Sequence, residues 1–243
     1  MKGGIDLGTK LTFNRLEKKF LLTEEQFLRI KEEIDKRFDP DEYGETTICN
    51  LYYDTPDFLL ITRSIEKPVY KEKLRLRTYG IPTNDSIGFI EVKKKYNGIV
   101  YKRRITMPLE KSLKFLADEI DVDEPTQISK EFKYFIRFYQ NRLAPRFYVS
   151  YDRSAFFCKD DREFRITFDR NLTWRNYDLD LTKGSYGEQL LPEGHVLMEV
   201  KVPSALPLWL VDILSNEKIY TRSFSKVGNA FTRMIMKNRS YLQ

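Results

Sequence analysis

The stretch Lys71–Gly80, KEKLRLRTYG, decides how this chain is read. Side chains of a strand alternate between faces, so residues two apart point the same way. Read as a strand, it places Lys73, Arg75 and Arg77 on one face and Leu74 and Leu76 on the other. The same division recurs outward along the chain. In FIEVKKK (89–95), Glu91 and Lys93 oppose Ile90 and Val92, and in YKRRI (101–105), Lys102 and Arg104 share a face. Asn97-Gly98 closes these two strands into a hairpin. Glu17 and Lys19 pair in RLEKKFLL, Tyr151 and Arg153 in VSYDRSAF, and Glu163 and Arg165 in REFRITF. In LMEVKV, Glu199 and Lys201 oppose Met198, Val200 and Val202.

These stretches predict eight strands, over 13–22, 46–54, 70–79, 87–96, 99–107, 146–157, 162–170 and 195–202. Five amphipathic helices fall between and after them. The first follows Thr23, a side-chain cap with Gln26 three residues on, and turns Phe27, Ile30, Ile34 and Phe38 to one side. The others begin near Leu109, Ser129, Leu206 and Ser223. LLITRSIEKPVYKEK reads as a loop. No linker or repeat divides the chain, so one α+β domain over 1–243 is expected, with about residues 1–11 a loose tail.

Composition narrows the function. Of 243 residues, 41% are hydrophobic and 32% charged, with only 11 Gly and 10 Pro, which excludes collagen-like and low-complexity chains. No apolar run approaches the roughly 18–20 residues of a membrane span. MKGGIDLGTKLTF carries no apolar signal region, so a cytoplasmic location is expected. Cys49 and Cys158 lie in apolar or aromatic contexts and are expected as reduced core residues. His195 is the single histidine, in a turn-like PEGHV, which leaves no His/Cys metal site and no ready Ser-His-Asp triad. Neither G-x-x-x-x-G-K-[ST] nor G-x-G-x-x-G occurs. With a net charge of +6, an anionic partner bound by side chains is the natural reading. Tyr79, Tyr101 and Tyr151 interleave with the basic residues but read as packing, and no nucleic-acid motif accompanies them.

An antiparallel sheet with one wet face would also carry such ladders. Arginine dominates KLRLR, however, and arginine suits bidentate oxyanion binding. Strands with this patterning can close into a barrel with a polar lumen and helices outside. The lumen would then hold ten cations (Lys19, Lys73, Arg75, Arg77, Lys93, Lys102, Arg104, Arg153, Arg165, Lys201) against four carboxylates (Glu17, Glu91, Glu163, Glu199). Enclosed like charges are costly unless an anion neutralises them. A polyphosphate or nucleoside triphosphate with a divalent metal meets that requirement.

Taken in order, RLEKKFLL, NLYYDTPDF, KLRLRTYG, FIEVKKK, YDRSAF, FRITFDRNL, LMEVKV and SFSKVG resemble the VTC domain. That domain is the polymerase module of the vacuolar transporter chaperones, within the triphosphate tunnel (CYTH-like) superfamily. The resemblance runs from about Phe13 to Met236. It implies an eight-stranded antiparallel tunnel with helices outside. It implies a metal-dependent phosphotransferase that moves the γ-phosphate of ATP onto inorganic polyphosphate. Phosphate-binding positions map onto Lys19, Arg75, Arg77, Lys93, Arg153, Arg165, Lys201 and Lys226, with Ser225 as a hydroxyl contact. Arg75, Arg77, Arg153, Arg165 and Lys226 are the expected catalytic set, and Arg63 is a further candidate from the loop before KLRLR. Glu199 maps onto the family's ligand for Mn²⁺ or Mg²⁺, with Glu17 and Glu91 beside it in the expected metal set. Lys73, Lys102 and Arg104 rest on the alternation. Tunnel hydrolases carry E-x-E-x-K on the first strand, where this chain has Arg15, Glu17 and Lys19. One carboxylate fewer favours transfer over hydrolysis. A tunnel triphosphatase and a non-catalytic polyphosphate binder are the alternatives. A separate membrane partner is left open.

Overall fold

The computed structural model of the protein describes residues 16–66, 68–122 and 124–240. Arg15 and the expected N-terminal tail lie outside them. In chain order the elements are β1 (Leu16–Thr23), α1 (Glu24–Arg37), β2 (Phe38–Pro40), β3 (Thr46–Asp54), α2 (Leu59–Glu66) and β4 (Tyr70–Tyr79). Next come β5 (Ile87–Tyr96), β6 (Ile99–Pro108), α3 (Leu109–Leu116), α4 (Gln127–Phe138) and β7 (Ala144–Cys158). β8 (Arg165–Arg175), a 3-10 turn (Leu181–Lys183), β9 (Glu188–Gln189), β10 (His195–Val202), α5 (Leu208–Asn216) and α6 (Lys226–Ser240) complete the fold.

The protein is thus α+β, with ten strands in one antiparallel sheet whose hydrogen-bonded order runs from β1 to β6 without returning. Among the described residues no strand pairing closes it, so the barrel expected from the alternation is not part of the observed pairing. Contacts divide the chain into two compact units, each built from three segments: 1–44, 154–168 and 194–222, and 45–153, 169–193 and 223–243. β7 and β8 each contribute residues to both.

In the first unit β1 pairs with β10, and β2 with the end of β7. Phe20, Leu22, Met198, Val200 and Val202 pack with Ile30 and Ile34 of α1 and Leu210 and Leu214 of α5. Thr23 caps α1 as its sequence predicts. Its hydroxyl accepts from the Gln26 amide at 3.2 Å and Gln26 Oε1 accepts from the Thr23 amide at 3.0 Å.

In the second unit the order is β7-β3-β4-β5-β6. Leu74, Leu76, Ile90 and Val92 are buried against Phe115, Phe132, Phe135 and Ile136 of α3 and α4. Full burial of each such side chain stabilises by about 1.5–3 kcal/mol. The apolar face of KLRLR therefore fixes which way its arginines point. β4, β5 and β10 have the bounds their alternation predicts.

Several elements differ from expectation. α2 forms where a loop is expected, because its capping group lies upstream. Asp54 Oδ1 accepts from the amides of Thr55 (2.8 Å) and Leu60 (2.9 Å), and Oδ2 from that of Ile61 (2.8 Å). Asp161–Phe164 is a turn, so β8 starts at Arg165 and Glu163 is not a strand residue. Ser129 is the third residue of α4, which Thr126 caps with the reciprocal pair of hydrogen bonds. β2 and β9 are too short to carry a periodic signal.

Candidate phosphate-binding site

Strand register assembles the cations of the second unit in rows. Lys73 stands opposite Lys93, and Lys93 opposite Lys102. One step along, Arg75 stands opposite Glu91, and Glu91 opposite Arg104. On the other side of β4, Tyr52 faces Arg75 and Asn50 faces Arg77.

Glu91 is the hub of this face. Its side chain is only 2% exposed. Oε2 accepts from Arg75 Nε at 2.7 Å. Oε1 accepts from Arg104 Nε at 2.8 Å and lies 2.6 Å from Lys102 Nζ. Arg77 Nε is 3.9 Å from Oε2. Burial alone would raise this carboxyl, but Arg75, Arg77 and Lys102 outweigh burial and hold it well below the usual range. Burial lowers Lys102 below the ordinary lysine value, with Glu91 opposing the shift. Both oxygens of Glu91, expected among the metal ligands, thus hold cations. Arg77 is fixed separately: Nε donates to Asn50 Oδ1 at 2.9 Å and a terminal nitrogen to Tyr151 Oη at 3.2 Å. Arg75 also donates to Tyr52 Oη at 3.3 Å. Lys93 is exposed on the same row, with no carboxylate partner among the described residues.

A second carboxylate organises the other end of this face. Asp169 is fully buried. Arg153 donates to it through two nitrogens, Nε to Oδ1 at 2.6 Å and a terminal nitrogen to Oδ2 at 2.7 Å. Lys226 Nζ is 2.6 Å from Oδ2. Both cations stack on Tyr151, with Arg153 Cζ 5.0 Å and Lys226 Nζ 4.5 Å from its centroid. Burial would raise the Tyr151 phenol, yet Arg77, Arg153 and Lys226 bring it down to about 8. Tyr151 therefore belongs to the cation cluster, not to plain packing as its sequence context suggests. Tyr79 and Tyr101 are exposed. Ser225 caps α6, accepting from the Gly228 amide at 3.2 Å, and its hydroxyl also accepts from Lys73 Nζ at 2.9 Å.

The first unit holds its own cluster. Lys19 Nζ lies 3.4 Å from Glu17 Oε1 and 3.6 Å from Glu199 Oε1. In register Lys19 stands opposite Glu199 and Glu17 opposite Lys201. Arg165 opens β8, 5.4 Å from the Phe157 centroid.

Arg63 departs from the set. It is exposed on α2, and its charge acts on Tyr139 rather than within either carboxylate cluster of the second unit. Asp169, Asn50 and Tyr52 are members that the sequence reading misses. A signal for each exists. Asp169 shares the strand face of Arg165 and Thr167, and Asn50 and Tyr52 alternate with Cys49, Leu51 and Tyr53 of the core.

Guanidinium and ammonium groups are thus brought close by two buried carboxylates. Comparison with known proteins gives the chain a family. Residues 14–235 match the VTC domain, and the chain belongs to that family. No curated protein matches the chain. Among solved structures, it is similar to a Bacillus halodurans protein provisionally assigned as an adenylate cyclase. The identity is 15% over 87% of this chain and 93% of the other, at a TM-score of 0.54, a likeness of fold. A Vibrio parahaemolyticus protein with the same provisional assignment covers 89% of this chain and 97% of its own at 14% identity and a TM-score of 0.46. Among the described residues no helix is long and apolar enough to cross a membrane.

Proposed function

We propose that the protein is a polyphosphate polymerase. In this reading the bond between the γ-phosphorus of ATP and its bridging oxygen breaks, and a bond to a terminal oxygen of polyphosphate forms. ADP leaves, and the chain gains one phosphate. The observation that carries the reading is the gathering of eight cations in the second unit (Lys73, Arg75, Arg77, Lys93, Lys102, Arg104, Arg153, Lys226), of which Arg75, Arg77, Lys102 and Arg104 meet Glu91 and Arg153 and Lys226 meet Asp169. A concentration of guanidinium and ammonium groups of this kind suits a polyanionic guest. Family membership supports a phosphorylated one.

Arg75, Arg77 and Arg153 would grip the γ-phosphoryl oxygens with N–H edges that their carboxylate and amide partners have already oriented. Lys226 and Lys93, with Ser225 as a hydroxyl donor, would hold the β-phosphate and the acceptor end. Lys19, Arg165 and Lys201 of the first unit are proposed, on the family resemblance, as further phosphate-binding residues. Fixed positive charge needs no reorganisation as phosphoryl charge redistributes, so positioning and electrostatics suffice for in-line transfer without a phospho-enzyme.

Glu17 and Glu199 fit a divalent cation. They are hard oxygen donors that already converge on one ammonium, within 3.4 and 3.6 Å. When bound there, Mn²⁺ or Mg²⁺ would offset phosphate charge.

The test is to incubate the purified chain with ATP and Mn²⁺ and resolve the products on a gel. Long polyphosphate, lost in a folded Arg75→Ala variant, is the expected result. Free phosphate released in step with ADP would assign a triphosphatase instead. Tight metal-independent binding without turnover would assign a polyanion sensor.

A further inference from the structure

The tip of the β5–β6 hairpin is apolar and exposed. Val69, Tyr70, Tyr96, Ile99, Val100 and Tyr101 are between 41% and 66% exposed. Register gathers them. Tyr70 stands opposite Tyr96 and Tyr96 opposite Ile99, while Val100 and Tyr101 follow next along β6. The Asn97 amide ties the turn to the Val69 carbonyl at 3.0 Å. Alternation turns Ile99 and Tyr101 to one face and Val100 to the other, so the tip is apolar on both sides. Among the described residues β6 pairs with β5 alone. Contiguous apolar surface of this kind marks an interaction site.

Charge identifies the partner. Between Glu91 and Glu110 there is no Asp or Glu, and there are six Lys or Arg. Lys102 and Arg104 are held by Glu91, Arg103 by Glu131 at 3.0 Å, and Lys94 lies over the Phe135 ring at 5.4 Å. Lys93 and Lys95, just behind the tip, are exposed and have no carboxylate partner among the described residues. A two-sided wedge with tyrosines and aliphatics at its point and ammonium groups behind suits the interfacial zone of a bilayer. Rings and branched chains enter the headgroup layer there, and lysines reach the phosphates. A flat protein partner would cover only one of the two faces.

We infer that the β5–β6 tip docks the protein on a membrane surface carrying anionic lipid. The docking does not depend on the phosphate-transfer reading.

Co-sedimentation of the full chain with phosphatidylcholine vesicles, with and without phosphatidylserine, tests it. Pelleting is expected with the anionic vesicles only, and should weaken with salt. Ile99→Ser/Val100→Ser should lower the partition coefficient about tenfold or more, and Lys95→Gln severalfold, with unchanged circular dichroism and unchanged polyphosphate binding. Absence of pelleting, or equal pelleting by the tip variants, overturns the inference. So does pelleting that inorganic polyphosphate abolishes while the tip variants retain it, since the Arg75 cluster would then be capturing headgroups. A tip-dependent dimer in light scattering without vesicle binding would assign the surface to a second copy of the chain and overturn it as well.

Discussion

Arg153 and Asp169 form a two-point ion pair, with hydrogen bonds of 2.6 and 2.7 Å, on a carboxylate that Lys226 shares. Two cations of the candidate site therefore meet on one buried acid. Removing one partner of a buried pair costs about 3–5 kcal/mol, because the other charge is stranded. Asp169→Ala is expected to lose about 3 kcal/mol of unfolding free energy in urea. Added tripolyphosphate should restore more stability to the variant than it adds to the wild type, since the ligand supplies the missing negative charge. Equal ligand effects in the two proteins would contradict this role.

Arg75 spans Glu91 and Tyr52 with different nitrogens. An ammonium cannot reproduce that fork. Arg75→Lys, although charge-conserving, is expected to lower kcat/KM for ATP about a hundredfold with unchanged secondary structure. Retention of most activity by the lysine variant would show that net charge is all the position supplies.

Two groups give the stability a defined pH dependence. Glu91 is depressed, so the unfolded carboxyl takes its proton near its ordinary 4.5 while the folded one stays ionised. Its contribution is complete above about 4.5 and is lost as the pH falls toward the folded value. Tyr151 titrates at about 8 when folded against 10.0 ordinarily, so the unfolded state binds more protons between these values. Stability from this group should rise over that interval, by at most about 1.4 kcal/mol per pH unit, and level off above it. Tyr151→Phe should flatten the alkaline rise, and tyrosinate absorbance should show a phenol ionising near 8 in the native protein only.

A β-carbon added at Gly228 would lie 3.0 Å from both Cβ and Oγ of Ser225. Helix propensity favours alanine over glycine by about 1 kcal/mol. The collision opposes that gain and pushes the hydroxyl that meets Lys73. Gly228→Ala is therefore expected to leave the melting temperature no higher and to weaken polyphosphate binding severalfold. A higher melting temperature with unchanged affinity would mean that Ser225 relaxes without consequence.

Period-two alternation made much of the sheet readable. Leu74 and Leu76 are as buried as their spacing requires, and Arg75 and Arg77 face the other way into polar partners. What escaped was information not local to the residues concerned. α2 is capped by Asp54, five residues before it begins, and its own run of Ile61, Thr62 and Ile65 looks unlike a helix. Glu91 reads as a metal ligand in isolation, and only the register that sets Arg75 and Arg104 on either side makes it a holder of cations. Asp169 was hidden inside FRITFDRNL because its partners, Arg153 and Lys226, come from distant segments. Arg63 was misleading for the opposite reason: a basic residue near the right strand, but on the exposed face of a helix.

Because each compact unit is stitched from three separated segments, neither can finish early on the ribosome. The first waits for residues as late as 222, and the second for α6. Nascent β1 and β3 emerge long before their partners β10 and β7 exist, with Phe20, Leu22 and Leu51 uncovered. Such non-local pairing folds slowly and is exposed to aggregation meanwhile. A newly made chain would depend on chaperone shelter, and truncation before residue 222 should leave no soluble fragment of either half.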